Sequence, residues 1–127
     1  MGRRRKRNPK KHYTILRREE VIRYAHEQEL TPVKIYNPKN NFVRYALVRL
    51  IDDITSPALL GDTKLQELTW DEFFKNLDRH GLVVVVTDKN KYYKIIYRKT
   101  LLKEPYIRYL KEEDIDWLEY GGGYTEG

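Results

Sequence analysis

The stretch of residues 68–98 constrains the fold most, because it carries the signals for a helix, its end and a hairpin in unbroken order. Thr69, followed three residues later by Glu72, forms the capping-box pattern that opens a helix. Gly81 is the residue type best able to adopt the left-handed conformation after a helix end. Two β-rich runs then flank the short polar turn Asp88-Lys89-Asn90. This order predicts a helix over 69–80, then a hairpin with strands over 82–87 and 91–98.

The predicted helix and first strand are apolar enough to build a core. The strand, Leu82 to Val86, is apolar on both faces. A strand of that kind has to be covered on both sides. We therefore expect other parts of the chain to pack on its second face. The helix residues predicted to face the core are Trp70, Phe73, Phe74 and Leu77.

Composition limits the class of protein. The chain has 127 residues, 40% of them hydrophobic, which fits one domain with a core. The absence of cysteine excludes disulfides, cysteine-ligated zinc and thiol catalysis. No run approaches the roughly 18 apolar residues of a membrane span, and no signal peptide is evident. We expect an intracellular protein, or one packaged in a virion, without a membrane partner. The single Met also fits a heat-adapted protein of archaeal or viral origin.

Positive charge is concentrated at the N-terminus. The net charge is +6, yet residues 1–18 hold nine Lys or Arg and no acid, which leaves sixteen basic against nineteen acidic residues elsewhere. Residues 1–13 have no apolar periodicity, so we predict a disordered basic arm that lies along a polyanion, where counterion release favours binding. The arm residues predicted to bind nucleic acid are Arg3, Arg4, Arg5, Lys6, Arg7, Lys10 and Lys11.

The remaining segments predict an α+β domain over residues 14–120. The periodicity predicts a helix over 14–30, a strand over 33–37, an amphipathic helix over 42–54 and a brief helix over 64–68. A C-terminal helix, broken near Glu113, precedes a flexible tail over 121–127 that begins with three glycines. No internal repeat is evident.

The segment 42–54 carries the strongest amphipathic pattern outside the opening stretch. Val43, Ala46, Leu47 and Leu50 recur at helical spacing. The alternative is a strand that pairs with residues 33–37 in a hairpin, but its alternation of polar and apolar residues fails after Tyr45. We therefore expect a helix near the centre of the core.

In this order of elements, residues 42–98 resemble the winged helix-turn-helix superfamily. A long first helix, a short second helix, a third helix and a two-stranded wing follow one another, and the phrase LDRHGLVVVV resembles the usual junction between the third helix and the wing. The resemblance implies a winged-helix-like core of three helices plus a hairpin wing. It is extended here by an N-terminal helix and strand, a C-terminal helix and the arm.

The resemblance also implies DNA binding, with the third helix in the major groove and the wing on the backbone or minor groove. The carried-over contacts on the helix are Lys75, Asn76 and Arg79, and those on the wing are Lys89, Lys91 and Lys94. This chain departs from the pattern because the same helix carries acids, namely Asp71, Glu72 and Asp78. We interpret the helix chiefly as core, the hairpin as a contact edge, and the arm as the main source of affinity.

Two functions compete. The first is a non-catalytic nucleic-acid-binding protein, with DNA expected over RNA, that acts as a regulator of transcription or organises a genome. The second is a structural protein for genome packaging, a capsid or a ribosome, whose body forms a homodimer or a larger homo-oligomer.

An enzyme is not expected, and neither is a cofactor or a metal. The three histidines are scattered, and no two have the spacing of helical metal ligands. Nothing in the sequence fixes the mutual geometry of the carboxylates that a nuclease would use, for which the candidates are Asp52, Asp53, Asp62 and Asp88.

Overall fold

The computed structural model describes residues 12–50, 62–88 and 92–125. They form a mixed α+β fold with two three-stranded antiparallel sheets. The strands are β1 (Tyr13–Ile15), β2 (Thr31–Asn37), β3 (Phe42–Val48), β4 (Lys64–Glu67), β5 (Leu82–Thr87) and β6 (Tyr93–Tyr97). The helices are α1 (Arg18–Gln28), α2 (Trp70–His80), α3 (Arg98–Leu101) and α4 (Glu112–Tyr120), with a 3₁₀ turn at Tyr106–Tyr109. The first sheet has the order β1-β5-β6 and the second β3-β2-β4.

The order strand, helix, hairpin occurs twice, in a first unit (residues 13–48) and a second unit (residues 64–97). The opening strand of each unit pairs with the hairpin of the other unit. The registers correspond: Val33 pairs with Glu67, and Val85 pairs with Ile15, each 52 residues from its counterpart. The absence of a sequence repeat is therefore misleading, because the repeat lies in the backbone and not in the residue types.

The helices of the two units are bounded in the same way. Each has 11 residues and a glutamate three positions after the N-cap. The carboxylate accepts the N-cap amide in both, at 2.7 Å for Glu20 and 2.9 Å for Glu72. Each helix ends at a residue with positive φ, Glu29 at 61° and Gly81 at 68°. The predicted helix over 69–80 and its capping box are confirmed.

The predicted helix over 42–54 is wrong for the residues described, because 42–48 form β3. This strand pairs along its whole length with β2, and the predicted strand over 33–37 is confirmed within β2. The alternation fails at Tyr45, Ala46 and Leu47 because all three are buried, so both faces of β3 are covered there. The β-branched and aromatic residues of β3 favour a strand once β2 supplies a partner.

The brief helix predicted over 64–68 is also wrong, because 64–67 form β4 on the other side of β2. Two of the three helices that the winged-helix resemblance requires are thus strands. The α+β class stands, but the winged-helix core is not confirmed.

The N-terminal boundary differs from the expectation. Tyr13, assigned to the arm, opens β1, and the helix predicted over 14–30 is a strand through Ile15 followed by α1. Residues 1–11, which hold the rest of the arm, lie outside the described residues.

Both faces of β5 are covered, as its sequence predicts. On the next strand, Tyr93 contacts the ring of Tyr24 in α1, with centroids 6.2 Å apart. On β1, Tyr13 contacts Tyr106 of the 3₁₀ turn, with centroids 5.5 Å apart. Cross-strand register places these two tyrosines on opposite faces of the sheet, because Tyr93 aligns with Thr14 through Val86. The main core lies between the sheets and helices and includes Phe73, Phe74, Leu77, Leu101, Leu118 and the four valines of β5.

The C-terminal segment after α4 is held in place, so the flexible tail predicted from residue 121 is wrong for residues 121–125. Tyr124 is 5% exposed, and its hydroxyl donates to Leu16 O (2.8 Å) and accepts from Val84 N (3.0 Å). Asp78 of α2 accepts the amides of Tyr124 (2.9 Å) and Thr125 (2.8 Å). Residues 126 and 127 lie outside the described residues.

Candidate functional site

The structure describes only part of the predicted binding set. The arm residues and two wing residues, Lys89 and Lys91, lie outside the described residues. Lys75, Asn76 and Arg79 lie on α2, and Lys94 lies on β6.

The acids of α2 all have structural partners. Asp71 pairs with Arg18 of α1 at 2.7 Å, and Glu72 caps its own helix. Asp78 holds the C-terminal segment through three hydrogen bonds. Lys75 and Arg79 are exposed, and within the described ranges neither forms an ion pair. Each acid of α2 therefore has a structural role, but Asp71 and Glu72 are exposed, so the helix presents charges of both signs to solvent.

Asn76 forms hydrogen bonds within the fold. Its Oδ1 accepts a hydrogen bond from the Tyr45 hydroxyl (3.2 Å), and its Nδ2 donates to Glu72 O (2.8 Å). Asn76 therefore connects α2 to β3, and its predicted role at the base edges is not supported by its contacts.

A groove separates the two sheets where β3 and β6, one edge strand from each, face one another. We call it the inter-sheet groove. The Tyr93 hydroxyl crosses it, accepting from Leu47 N (2.9 Å) and donating to Leu47 O (2.8 Å). Its volume is about 680 Å³. It is lined by Val43, Arg44, Tyr45 and Ala46 of β3, by the five residues of β6, and by His80, Leu82 and Tyr106.

The backbone edges along this groove are open. Leu47 bonds the Tyr93 hydroxyl through both its amide and its carbonyl. The backbone amides and carbonyls of the odd-numbered β3 residues are therefore directed away from β2. Next to β6, Arg98 N bonds Gly81 O. The backbone amides and carbonyls of the even-numbered β6 residues are therefore directed toward β5, and those of the odd-numbered residues are directed away from it. Within the described part of the chain, no backbone hydrogen bond joins the two edges. The groove is therefore lined by amides and carbonyls of Val43 and Tyr45 on one side and of Ile95 on the other. The amide of Tyr97 joins them, but its carbonyl accepts the first hydrogen bond of α3.

The side chains of the groove are cationic and aromatic. Arg44, Lys94 and His80 are exposed, and no carboxylate of the described residues lines the groove. The Tyr97 ring is 56% exposed, while Tyr45 is buried and stacks on His80 with centroids 5.8 Å apart. This combination suits an anionic ligand that also has flat apolar faces.

Tyrosines elsewhere belong to the fold. Burial raises the pKa of Tyr13, with Tyr106 and Tyr109 adding to the effect, and burial followed by the nearby Tyr93 raises the pKa of Tyr24. Burial also raises the pKa of Tyr124 far above its ordinary value of 10.0. These hydroxyls therefore stay neutral at physiological pH.

The C-terminal helix contributes a second charged cluster with a structural role. The buried Asp114 pairs with Arg17 at 3.0 Å and accepts the amide of Ile15 at 3.2 Å. Arg17 and Arg98 each lie over the Trp117 ring, at 4.5 Å and 5.1 Å from its centroid. These contacts fasten α4 to β1 and to Arg17, which follows β1.

The carboxylates considered for catalysis are scattered. Asp62 pairs with Lys39 at 3.0 Å, and Asp88 accepts from the Thr14 hydroxyl at 2.8 Å. Asp52 and Asp53 lie outside the described residues. Among the described residues, no group of three or more His, Asp or Glu is placed to hold a metal ion.

No family model, no curated protein and no solved structure matches this chain. None of the described helices is both long and apolar enough to span a membrane.

Of the residues that line the groove, Lys94 is among the predicted binding residues, whereas Arg44, His80 and Tyr97 are not. Sequence reasoning placed Arg44 on a helix, and His80 at a helix end with no assigned role. The available signal was the pair Tyr45 and Tyr93, whose strand partners Lys34 and Val86 are 52 residues apart. That correspondence becomes visible only after β3 is recognised as a strand.

Proposed function

We propose that this chain is a non-catalytic nucleic-acid-binding protein, with DNA expected over RNA, that binds through the inter-sheet groove and the basic N-terminal arm. The observation that carries the proposal is the groove itself. Arg44, His80 and Lys94 line it together with four tyrosines and without a carboxylate from the described residues. Phosphates attract such cations, and aromatic rings accept bases of any sequence.

The exposed face of α2 supports the same proposal. His80 ends this helix at the groove, and Arg79 and Lys75 precede it on the exposed helix surface. Within the described residues Lys75 and Arg79 form no ion pair, and they add positive charge to the helix that ends at the groove. The arm adds seven Lys or Arg within residues 1–11. Affinity should therefore be steeply salt-dependent and weakly sequence-selective.

Fluorescence anisotropy with a labelled 20-nucleotide DNA, titrated at 50–300 mM NaCl, tests the proposal. The double variant Arg44→Ala/Lys94→Ala should weaken binding about tenfold and flatten the dependence of affinity on salt, because two phosphate contacts are lost. The matched control Arg23→Ala/Lys64→Ala removes the same charge from exposed positions outside the groove and should change affinity less than threefold. Deleting residues 1–11 should remove most of the remaining affinity.

Two results would contradict the proposal. The first is the absence of salt-dependent binding by the intact chain. The second is equal weakening by the groove variant and its control, which would mean that binding depends on the net charge of the protein and not on the groove.

A second candidate function is a structural protein that forms homo-oligomers. It is favoured by the adjacent exposed side chains of Phe42 and Val43, which are 42% and 47% exposed at the start of β3. Light scattering distinguishes the two functions without nucleic acid. A large assembly that Phe42→Ser disperses supports this second function, and a monomer does not.

A further inference from the structure

We infer that the inter-sheet groove takes unpaired bases of a single strand, whose edges bond to the open backbone of β3 and β6 while the phosphates stay on the cationic rim. This inference rests on the proposed function and makes it specific: the ligand is single-stranded, and the backbone of the two sheets contacts its bases.

The first step concerns the two open edges. Val43, Tyr45 and Ile95 each direct an amide and a carbonyl into the groove, and Tyr97 directs its amide, since its carbonyl belongs to the first turn of α3. Base edges carry donors and acceptors side by side, so they complement a strand edge in the way that another strand does. Tyr93 already shows the required chemistry, since its hydroxyl both donates to and accepts from Leu47. The inferred bases fill the same role farther along the groove.

The second step concerns the size and shape of the groove. A volume of about 680 Å³ lies in the range of small-molecule clefts and suits a few bases. A duplex keeps its Watson–Crick edges paired inside its stack, so it would rest on the rim without reaching the backbone of either strand. Entry into the groove therefore selects unpaired bases.

The third step concerns the side chains at the entrance. The exposed ring of Tyr97 offers a stacking face, and Lys94 and Arg44 offer charges for the flanking phosphates. An extended peptide would also pair with the open edges, but it carries no regular negative charge to match these cations. The cations and the tyrosines together favour a nucleic acid.

The test compares labelled dT12, the same oligonucleotide annealed to dA12, and variants of the full chain, by anisotropy at 150 mM NaCl. The intact protein should bind the single strand at least tenfold more tightly than the duplex. Tyr97→Ala should weaken single-strand binding at least fivefold and leave duplex binding unchanged. Tyr120→Ala is the matched control, because Tyr120 is 80% exposed on α4, outside the groove, and it should change neither affinity. Thermal melts establish that both variants are folded.

A second readout locates the ligand directly. In ¹H–¹⁵N spectra, addition of dT12 should shift the amides of Val43, Tyr45, Ile95 and Tyr97 more than those of α4. Shifts confined to Lys75 and Arg79 would overturn the inference, because the bases would then lie on the helix.

The outcomes separate this inference from the function on which it rests. If no oligonucleotide binds, the proposed function fails and the inference with it. If single strand and duplex bind equally and Tyr97→Ala affects neither, only the inference fails. If a peptide of alternating valine and glutamate binds in the groove and oligonucleotides do not, the groove accepts an added strand and the inference is wrong.

Discussion

The first and second units follow one backbone plan but bury different side chains at matching positions. At matching helix positions the second unit buries Phe73 and Leu77, where the first buries Val21 and Ala25. Its strand β5 has four consecutive buried valines, whereas the matching part of β2 contains Thr31 and Lys34, both partly exposed. At these matching positions the second unit therefore buries the larger side chains.

The comparison shows which features specify this arrangement. Neither the size of the buried side chains nor the polarity of the strands is shared. What is shared is the glutamate after the N-cap, the left-handed residue after the helix, and the strand register at Val33 and Val85. The ends of the helices and the pairing of the strands fix the backbone, while the side chains between them vary.

The largest expected difference between the units is in core energetics. Phe73→Ala should lower the free energy of unfolding by about 3–5 kcal/mol, because a large cavity remains in the core. Val21→Ala, at the matching position of α1, should cost about 2 kcal/mol. Guanidinium denaturation monitored by circular dichroism measures both. Equal losses would mean that the units carry the core in equal shares.

The next effect concerns Tyr124, whose hydroxyl joins Leu16, the residue after β1, to Val84 of the second unit. Tyr124→Phe should cost about 1–3 kcal/mol, because Val84 N and Leu16 O lose their shared partner in a buried site. Tyr120→Phe, at an exposed side chain, should change stability by less than about 0.5 kcal/mol.

The same substitution should change the response to alkali. Because the pKa of Tyr124 is raised in the fold, its unfolded form releases a proton near pH 10 while the folded form keeps it. The unfolded state then binds fewer protons, so stability falls as pH rises above about 10. Tyr124→Phe removes this contribution, and its stability should fall less between pH 10 and 11 than that of the intact chain. Parallel declines would show that Tyr124 does not govern the alkaline limit.

The smallest effect compares the ends of the two helices. Glu29→Gly should raise the free energy of unfolding by up to about 1 kcal/mol, since φ at this position is 61° and only glycine adopts it without strain. Gly81→Ala should lower it by about 1 kcal/mol, and through backbone strain alone, because an added Cβ meets no atom within 4 Å. Thermal unfolding of the pair measures the difference. A stabilising effect at both positions would rule out strain as the distinction.

The parts of the fold that sequence predicts are those set by neighbours in the chain. Thr69, Glu72 and Gly81 predict α2 and both of its ends, and the turn residues after Thr87 predict the second hairpin. Segment 42–48 was assigned to a helix because burial on both faces erased its alternation, and only its partner β2 makes it a strand. The predicted α+β class was correct, although the segments 42–48 and 64–67, predicted as helices, are strands.

The candidate site was less accessible to sequence reasoning than the fold. Its lining comes from β3 and β6, about fifty residues apart, and neither strand alone indicates a groove. The acids of α2 were counted as obstacles because sequence does not show that Asp71 pairs with Arg18 or that Asp78 holds Thr125. The role of each charged side chain depends on its partner, and the partners of Asp71 and Asp78 lie in elements distant in the sequence.

Because the opening strand of each unit pairs with the other unit, the two sheets can form at different times during translation. The sheet β3-β2-β4 needs only residues 31–67, so it can assemble while the rest of the chain is being translated. Strand β1 is made first, yet its partner in the pairing Tyr13–Thr87 appears 74 residues later. At roughly 5–20 residues per second, β1 waits on the order of 4–15 s for that partner. Strand β1 thus remains unpaired until the residues of β5 have been made.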